Sequence, residues 1–141
     1  MALTGTGAVF QVSGGFIGTL SQSGTFQNDV PLNNSTPVAV QDGIAPAIEV
    51  IFTGALLSDQ TVIPGESFTV ISTTDVSGFG TISPGSAPNS FVWAYRGANV
   101  LVPGTYTVTL KGTGPNVIAS TTLGVALTAD VIFLFRVQPP Q

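Results

Sequence analysis

The chain has 141 residues, a length that fits one domain and allows roughly two thirds of the unfolded surface to be buried in one core. Charged side chains make up only 7% of it, against about 25% in an ordinary soluble protein, and the net charge of −4 shows no acidic or basic run. Three cations cannot form a stripe that follows phosphates, which excludes nucleic acid as an expected partner. The absence of Cys and His excludes thiol nucleophiles, imidazole bases and the usual transition-metal ligands.

Strand signals dominate the chain, because Gly and Pro recur throughout and no window carries an apolar helical pattern between caps. Nine short segments are predicted as strands: 8–12, 15–20, 37–41, 47–53, 67–73, 90–96, 105–111, 117–122 and 131–137. Their short, regular spacing is typical of a sandwich or barrel.

Turn residues predict how the first strands connect. Ser13-Gly14-Gly15 offers the positive φ of a tight hairpin between the first two segments, and Asp42-Gly43 joins the next pair. Pro64-Gly65 has the pattern of a type II turn, which leads into a strand with Phe68 and Val70 pointing inward. The Pro-rich stretch 83–89 is predicted as a loop.

A row of rings lies on the strand at 90–96, where alternation sends Phe91, Trp93 and Tyr95 to one face. Such a row could stack a sugar, but large rings at alternate positions ordinarily fill a sandwich core. We therefore assign the row to the core or to a subunit interface.

The last two strands differ in how they must be covered. Segment 105–111, TYTVTLK, alternates cleanly and predicts a half-buried antiparallel strand, whereas VIFLFRV at 131–137 is apolar on both faces. The second face of the latter is predicted to be covered by another copy of the chain, as a trimer. The residues assigned to a subunit interface or the core are Phe91, Trp93, Tyr95, Ile132, Phe133, Leu134 and Phe135.

Candidate chemistry is sparse. Asp29, Asp42 and Asp59 lie beside turns, where Asp bonds its own backbone, so no catalytic, cofactor-binding or metal-binding residue is predicted. Asp29 with its neighbouring asparagines is the one cluster worth testing for calcium. The apolar runs are too short to span a bilayer and no signal-peptide pattern is present, although a removed signal would leave no trace.

The stretch VPGTYTVTL at 102–110, followed by a Gly-rich turn and an apolar terminal strand, resembles the C-terminal half of trimeric jelly rolls of the complement globular-head and tumour necrosis factor kind. The wider combination of a short, charge-poor all-β chain without Cys or His resembles tailed-phage capsid decoration, or cement, proteins. These resemblances imply an antiparallel jelly-roll sandwich or β-barrel of about eight to nine strands. They also imply a homotrimer on the outer capsid surface of a virion, with the major capsid protein as partner and no membrane or cofactor.

In such proteins an N-terminal arm reaches across neighbouring subunits. The resemblance implies that 1–7 is a flexible arm, that Ala2, Leu3, Thr4 and Thr6 contact the capsid, and that 8–141 is a single β-sandwich domain. The alternative is a receptor- or glycan-binding fibre-tip or adhesin module on an extracellular surface structure, holding a glycan over Trp93, Tyr95 or Tyr106. A glycosidase acting through carboxylates is a distant third, so the protein is expected not to be an enzyme.

Overall fold

The computed structural model describes residues 10–21, 24–40, 45–86, 88–99, 101–121 and 125–139. Within them the chain forms nine strands and two short 3₁₀ turns, Asp59–Thr61 and Ser77–Phe79. The strands are β1 Phe10–Leu20, β2 Phe26–Pro31, β3 Val38–Val40, β4 Ala47–Gly54, β5 Phe68–Ile71, β6 Gly80–Pro84, β7 Ser90–Tyr95, β8 Gly104–Leu110 and β9 Val131–Val137. The expected all-β, mainly antiparallel architecture is confirmed.

The strands form two sheets. The first sheet has the order β2-β1-β4-β7-β6, and the second sheet has the order β3-β9-β8-β5. Every pairing between these strands is antiparallel except that of β3 with β9. Consecutive strands therefore switch sheets several times, which wraps the chain around one core.

The strand order refines the expected sandwich. Strands β1-β4-β7-β6 against β5-β8-β9 reproduce the A-B-E-D and C-F-G sheets of an immunoglobulin-type sandwich rather than a jelly-roll winding. Strand β3 adds to the second sheet in parallel, and β2 adds to the outer edge of the first sheet. The antiparallel pair of β8 and β9 thus lies within one sheet.

The core lies between the sheets and is built from rings and β-branched residues. Phe10 stacks on Phe52 with centroids 4.9 Å apart, and Phe68 meets Phe91 edge to face at 5.4 Å. A Cβ at Gly15 would come within 2.8 Å of the Phe133 ring, so glycine lets β9 pack directly beneath β1. Each fully buried large apolar side chain contributes about 1.5–3 kcal/mol, which is the main stabilising term.

The first half of the chain departs from the prediction at Ser13-Gly14-Gly15. No hairpin forms there, because β1 runs continuously from Phe10 to Leu20 and pairs with β4 along most of its length. The glycines instead accompany a register shift between Val12 and Gly14, a β-bulge. The hairpin that does form joins β1 to β2, a strand that the sequence patterns did not predict.

Two other predicted connections differ. The segments around Asp42-Gly43 do not form a hairpin, because β3 lies in the second sheet and β4 lies in the first. Segment 117–122 is not a regular strand: its described residues make only isolated bridges, Leu57 with Ser120 and Ala119 with Ala126. Strand β6, at Gly80–Pro84, was not predicted, and its last two residues were assigned to the loop 83–89.

The remaining strands follow their predicted patterns. The type II turn is confirmed, with Gly65 at φ 88° and the Glu66 N–H donating to the Ile63 carbonyl at 2.9 Å. Phe68 and Val70 are buried, as alternation predicts. β9 has the predicted bounds 131–137.

Candidate functional site

The ring row on β7 lies in the core of this chain. Phe91, Trp93 and Tyr95 are all buried, because β7 is an interior strand and its alternate residues face the second sheet. The Trp93 Nε1–H donates to the Ser77 carbonyl at 2.9 Å, and the Tyr95 hydroxyl donates to the Asn99 carbonyl at 2.6 Å. A sugar cannot stack on rings so enclosed, so within this chain Trp93 and Tyr95 do not offer the platform considered in the alternative glycan-binding hypothesis.

Tyr106, the third ring considered for a glycan, is also enclosed. It is only 1% exposed, stacks on Phe135 at 5.0 Å and donates its hydroxyl to the Val102 carbonyl at 2.7 Å. This is the tyrosine corner of immunoglobulin-type sandwiches, which ties the start of β8 to the loop before it. Burial and the nearby Tyr95 raise the pKa of Tyr106, so its hydroxyl stays protonated.

The final strand divides its side chains between the two faces of the second sheet. Phe133 and Phe135 point inward and are buried. Ile132 points outward and is 42% exposed, and Leu134 is half-buried, its N–H donating to the Asn33 carbonyl at 3.0 Å. The seven residues assigned to core or interface therefore separate into five in the core and two on the outer face.

The outer face of the second sheet is a regular surface formed by β5, β8 and β9. Alternation on β8 sends its threonines outward, and the register places Thr107 opposite Leu134 and Thr109 opposite Ile132. On the other side of β8, Thr107 lies opposite Ile71 and Thr109 opposite Thr69. We call this surface the threonine face, formed by Thr69, Ile71, Thr105, Thr107, Thr109, Ile132, Leu134 and Arg136.

The chemistry of the threonine face suits contact rather than catalysis. Its one charged side chain is Arg136, toward one end of β9, while Lys111 just beyond β8 pairs with Asp130 at 3.1 Å. β-Branched side chains have restricted χ1 and lose little entropy when covered. A neighbour could therefore cover most of this face without removing a charge from water.

Three loops meet at one end of the sandwich, and Asn89 connects two of them, the turn before β7 and the turn after β4. Its φ is 60°, its side-chain oxygen accepts the Leu57 N–H at 2.6 Å, and its amide donates to the carbonyls of Phe52 at 3.2 Å and Ala55 at 3.0 Å. The sequence patterns predict only the end of a loop at Asn89. The dipeptide Pro88-Asn89 is the sequence signal that could have indicated this turn conformation, because Asn tolerates the left-handed region better than most residues.

A cavity of about 340 Å³ opens at this loop end, with Asp59, Ser90 and Thr121 among its lining residues. Leu56 on its wall is 63% exposed. The Ser58 N–H donates to the Ala119 carbonyl at 2.9 Å, which fixes the loop after β4 against the loop after β8. The loop end is thus a preformed concavity with one carboxylate on its wall.

Other carboxylates hold loops in place. Glu49 is buried and accepts the N–H and hydroxyl of Ser86 at 2.5 and 2.8 Å, and Asp75 accepts the Ser77 N–H at 2.9 Å. Asp42 and the side chain of Asp29 lie outside the described part of the molecule, and Asp29 carries the carboxylate of the one cluster considered for calcium. The described ranges contain no group of three or more acidic side chains that could hold a metal ion.

Asp130 closes the long connection between β8 and β9. Its carboxylate accepts the backbone N–H groups of Gly112 at 2.8 Å and Thr113 at 3.1 Å, and it pairs with Lys111. These bonds, the Gly112 N–H foremost, followed by Lys111 and Thr113, lower the pKa of Asp130 to about 2. Asp130 therefore acts as an anchor for the loop.

The predicted capsid-contacting residues Ala2, Leu3, Thr4 and Thr6 lie outside the described residues. Among the residues described, no helix is long and apolar enough to cross a membrane.

No protein-family model matches this chain, and comparisons with curated proteins and with solved structures give no match either.

Proposed function

We propose that this protein is a non-enzymatic structural protein that decorates a viral shell as a homotrimer and cements the shell subunits together. The observation that carries the proposal is the threonine face, a broad and nearly neutral β surface that includes the 42% exposed Ile132. The rings on β7 and β8 are packed in the core, and the carboxylates of Glu49, Asp75 and Asp130 anchor loops. The threonine face, in contrast, is exposed and available for contact with a partner.

The threonine face offers part of what a stable interface requires. The three strands that carry it have 4, 7 and 7 residues, and at ~3.3 Å per residue and ~4.8 Å between strands they give a projected area of about 290 Å². Standard interfaces bury about 800 Å² of accessible surface per partner. Side-chain relief raises the accessible area above the projected one, and further contacts outside the face would supply the remainder.

The scarcity of charge predicts how this protein would attach to a shell. Salt weakens contacts by screening charges, and the chain carries only three cations and seven anions. Attachment through apolar and main-chain contacts is therefore expected to survive high salt. Electron microscopy of the protein mixed with particles from its natural source, at low and high salt, tests this expectation, and release by moderate salt would contradict it.

The homotrimer is tested by light scattering. A trimer of 14.3 kDa chains has a mass of about 43 kDa, from three times 14.3. We expect Ile132→Lys to convert it to monomer, because the lysine places within the face a charge that must be desolvated on association. Phe79→Lys is the matched control, since Phe79 is a 60% exposed apolar residue outside the face. A wild-type mass of 14 kDa at micromolar concentration would refute the trimer.

A second candidate, a receptor- or glycan-binding module, is favoured by one observation, the preformed cavity at the loop end. Loops at this end of immunoglobulin-type sandwiches form binding surfaces in variable domains. Binding on a glycan array that is lost in Asp59→Asn, with the trimer intact, would support this function over cementing. If the protein binds no glycan on the array, this second candidate function is excluded.

A further inference from the structure

Along one side of the sandwich, the edge of β1 that faces β2 is only partly paired. β1 pairs with β4 from Phe10 onward, but on its other edge β2 covers only Phe16–Leu20, with the Leu32 N–H donating to the Gly15 carbonyl. Residues 10–14 of β1 therefore have no strand partner on that edge within the described ranges. Their outward backbone groups form a half-edge that could accept another strand.

The second sheet leaves a matching half-edge on the same side. β3 pairs with β9 only at Phe135, Arg136 and Val137, and Asn33 adds a single bridge to Leu134. Residues 131–133 of β9 have no strand partner on that edge among the described strands. Because Gly15 of β1 packs over Phe133 of β9, the two half-edges lie one above the other.

A cavity of about 400 Å³ lies between the two half-edges, and we call it the seam cleft. Its apolar lining includes Phe10, Val12, Leu127, Val131 and Phe133, and none of its lining residues is charged. An apolar floor flanked by unpaired strand edges has the chemistry used in β-strand addition, where the backbone gives affinity and alternate side chains enter the groove.

We propose that the seam cleft receives residues 1–9 of a second copy as an added strand. This segment, MALTGTGAV, carries no charged side chain, and alternation places Leu3, Gly5, Gly7 and Val9 on one face, a row of small and apolar residues. The inference deepens the proposed self-association, on which it rests, by naming the segment and the site through which copies are linked.

The position and length of the segment allow it to reach a neighbour. Phe10, which follows it directly, is itself a wall of the cleft, so the segment starts at the rim. Nine extended residues span about 30 Å, and pairing along a half-edge of five residues uses about 17 Å. About 13 Å is left to cross between copies, which is enough for adjacent subunits in contact.

Insertion into the same copy would leave the half-edge incomplete. The best turn residues in the segment are Gly5-Thr6-Gly7, and a hairpin there would set Thr4 opposite Ala8 and Met1 opposite Gln11. Val12, Ser13 and Gly14 would stay unpaired. A second copy, which needs no reversal of the chain, can cover the whole half-edge.

Disulfide trapping tests the proposal cleanly because the chain contains no native cysteine. Leu3→Cys in one chain is mixed and oxidised with Thr128→Cys, an exposed cleft residue, in another. The control partner is Thr81→Cys, exposed on β6 at the opposite edge of the first sheet. A segment bound in the cleft holds its cysteine at an effective concentration in the millimolar range, whereas unbound protein in solution is micromolar. Leu3→Cys should therefore cross-link to Thr128→Cys about a hundredfold more than to Thr81→Cys.

The outcomes separate this proposal from the trimer itself. Equal cross-linking to both partners overturns the inference, as does a double variant Leu3→Cys/Thr128→Cys that forms its disulfide within a single chain. If the wild type is a trimer and Ile132→Lys dissociates it while no selective cross-link forms, only the seam-cleft proposal fails. If the wild type is a monomer and no cross-link forms, both fail. Circular dichroism of each cysteine variant confirms that it is folded.

Discussion

Asn89 is predicted to be the most sensitive polar residue of the fold. Its side chain makes three hydrogen bonds to the backbone of the end of β4 and the turn after it, at Phe52, Ala55 and Leu57, while its own carbonyl accepts the Phe52 N–H at 2.8 Å. Its φ of 60° lies in the left-handed region. Replacement by alanine removes the three bonds. It also puts alanine in the left-handed region, where it lacks the polar side chain that lets asparagine tolerate this conformation.

The expected cost follows from these two terms. Three hydrogen bonds at about 0.5–1.5 kcal/mol each give roughly 1.5–4.5 kcal/mol, and a non-Gly residue in the left-handed region adds about 1–2 kcal/mol. Asn89→Ala should therefore lower the free energy of unfolding by about 4 kcal/mol. Asn89→Gly loses the same bonds without the backbone strain, and should be about 1 kcal/mol more stable than Asn89→Ala.

Urea unfolding followed by tryptophan fluorescence measures the difference, because Trp93 is fully buried in the native state. All variants are compared at one protein concentration, since association would shift apparent stability. Asn34→Ala, in an exposed turn, is the control and should change stability by less than about 0.5 kcal/mol. A cost below about 1 kcal/mol for Asn89→Ala, or a glycine variant less stable than the alanine variant, would refute the reasoning.

Three further predictions concern other parts of the fold. Tyr106→Phe removes the bond to the exposed Val102, whose carbonyl water can then reach, so it should cost about 1 kcal/mol and lower Tm by about 3 °C in a thermal scan. Gly80→Ala forces a methyl against the indole of Trp93 and should cost about 1–3 kcal/mol with altered fluorescence, whereas an unchanged Tm would contradict the packing. The pKa of Asp130 is about 2 in the fold against an ordinary 3.8, so its contribution is fully present above about pH 4 and is lost as pH falls through about 2. Acid titration of Asp130→Asn should therefore lack that component of the wild-type stability loss, and identical acid profiles would exclude the anchor.

Strands whose pattern matches their environment were predictable. Segment 105–111 alternates because one face packs on the core and the other is the threonine face, and β9 was placed at 131–137 because both of its faces are apolar. The ring row on β7 was correctly given a shared face. For the candidate site, the outward residues Ile132 and Leu134 came directly from this alternation.

Other features depend on partners distant in sequence. Ser13-Gly14-Gly15 has the composition of a tight turn, but pairing with β4 holds the segment extended and converts it into a bulge. β2 and β6 are edge strands that carry Asn, Asp, Pro and Gly, so their local composition resembles loops. Asn89 acts through the turn after β4, a relation that no local pattern contains.

The sequence alone determined that this protein is an all-β sandwich with little charge, with a two-sided apolar strand near its C-terminus and without the Cys and His of common catalytic sites. These properties follow from composition and from period-2 alternation, which depend on residues near one another. Only the tertiary structure decided the order of the strands, the enclosure of Trp93, Tyr95 and Tyr106 in the core, and the two half-edges that frame the seam cleft. Which strand becomes a neighbour is fixed by how all the apolar faces are buried together, and that is a property of the whole chain.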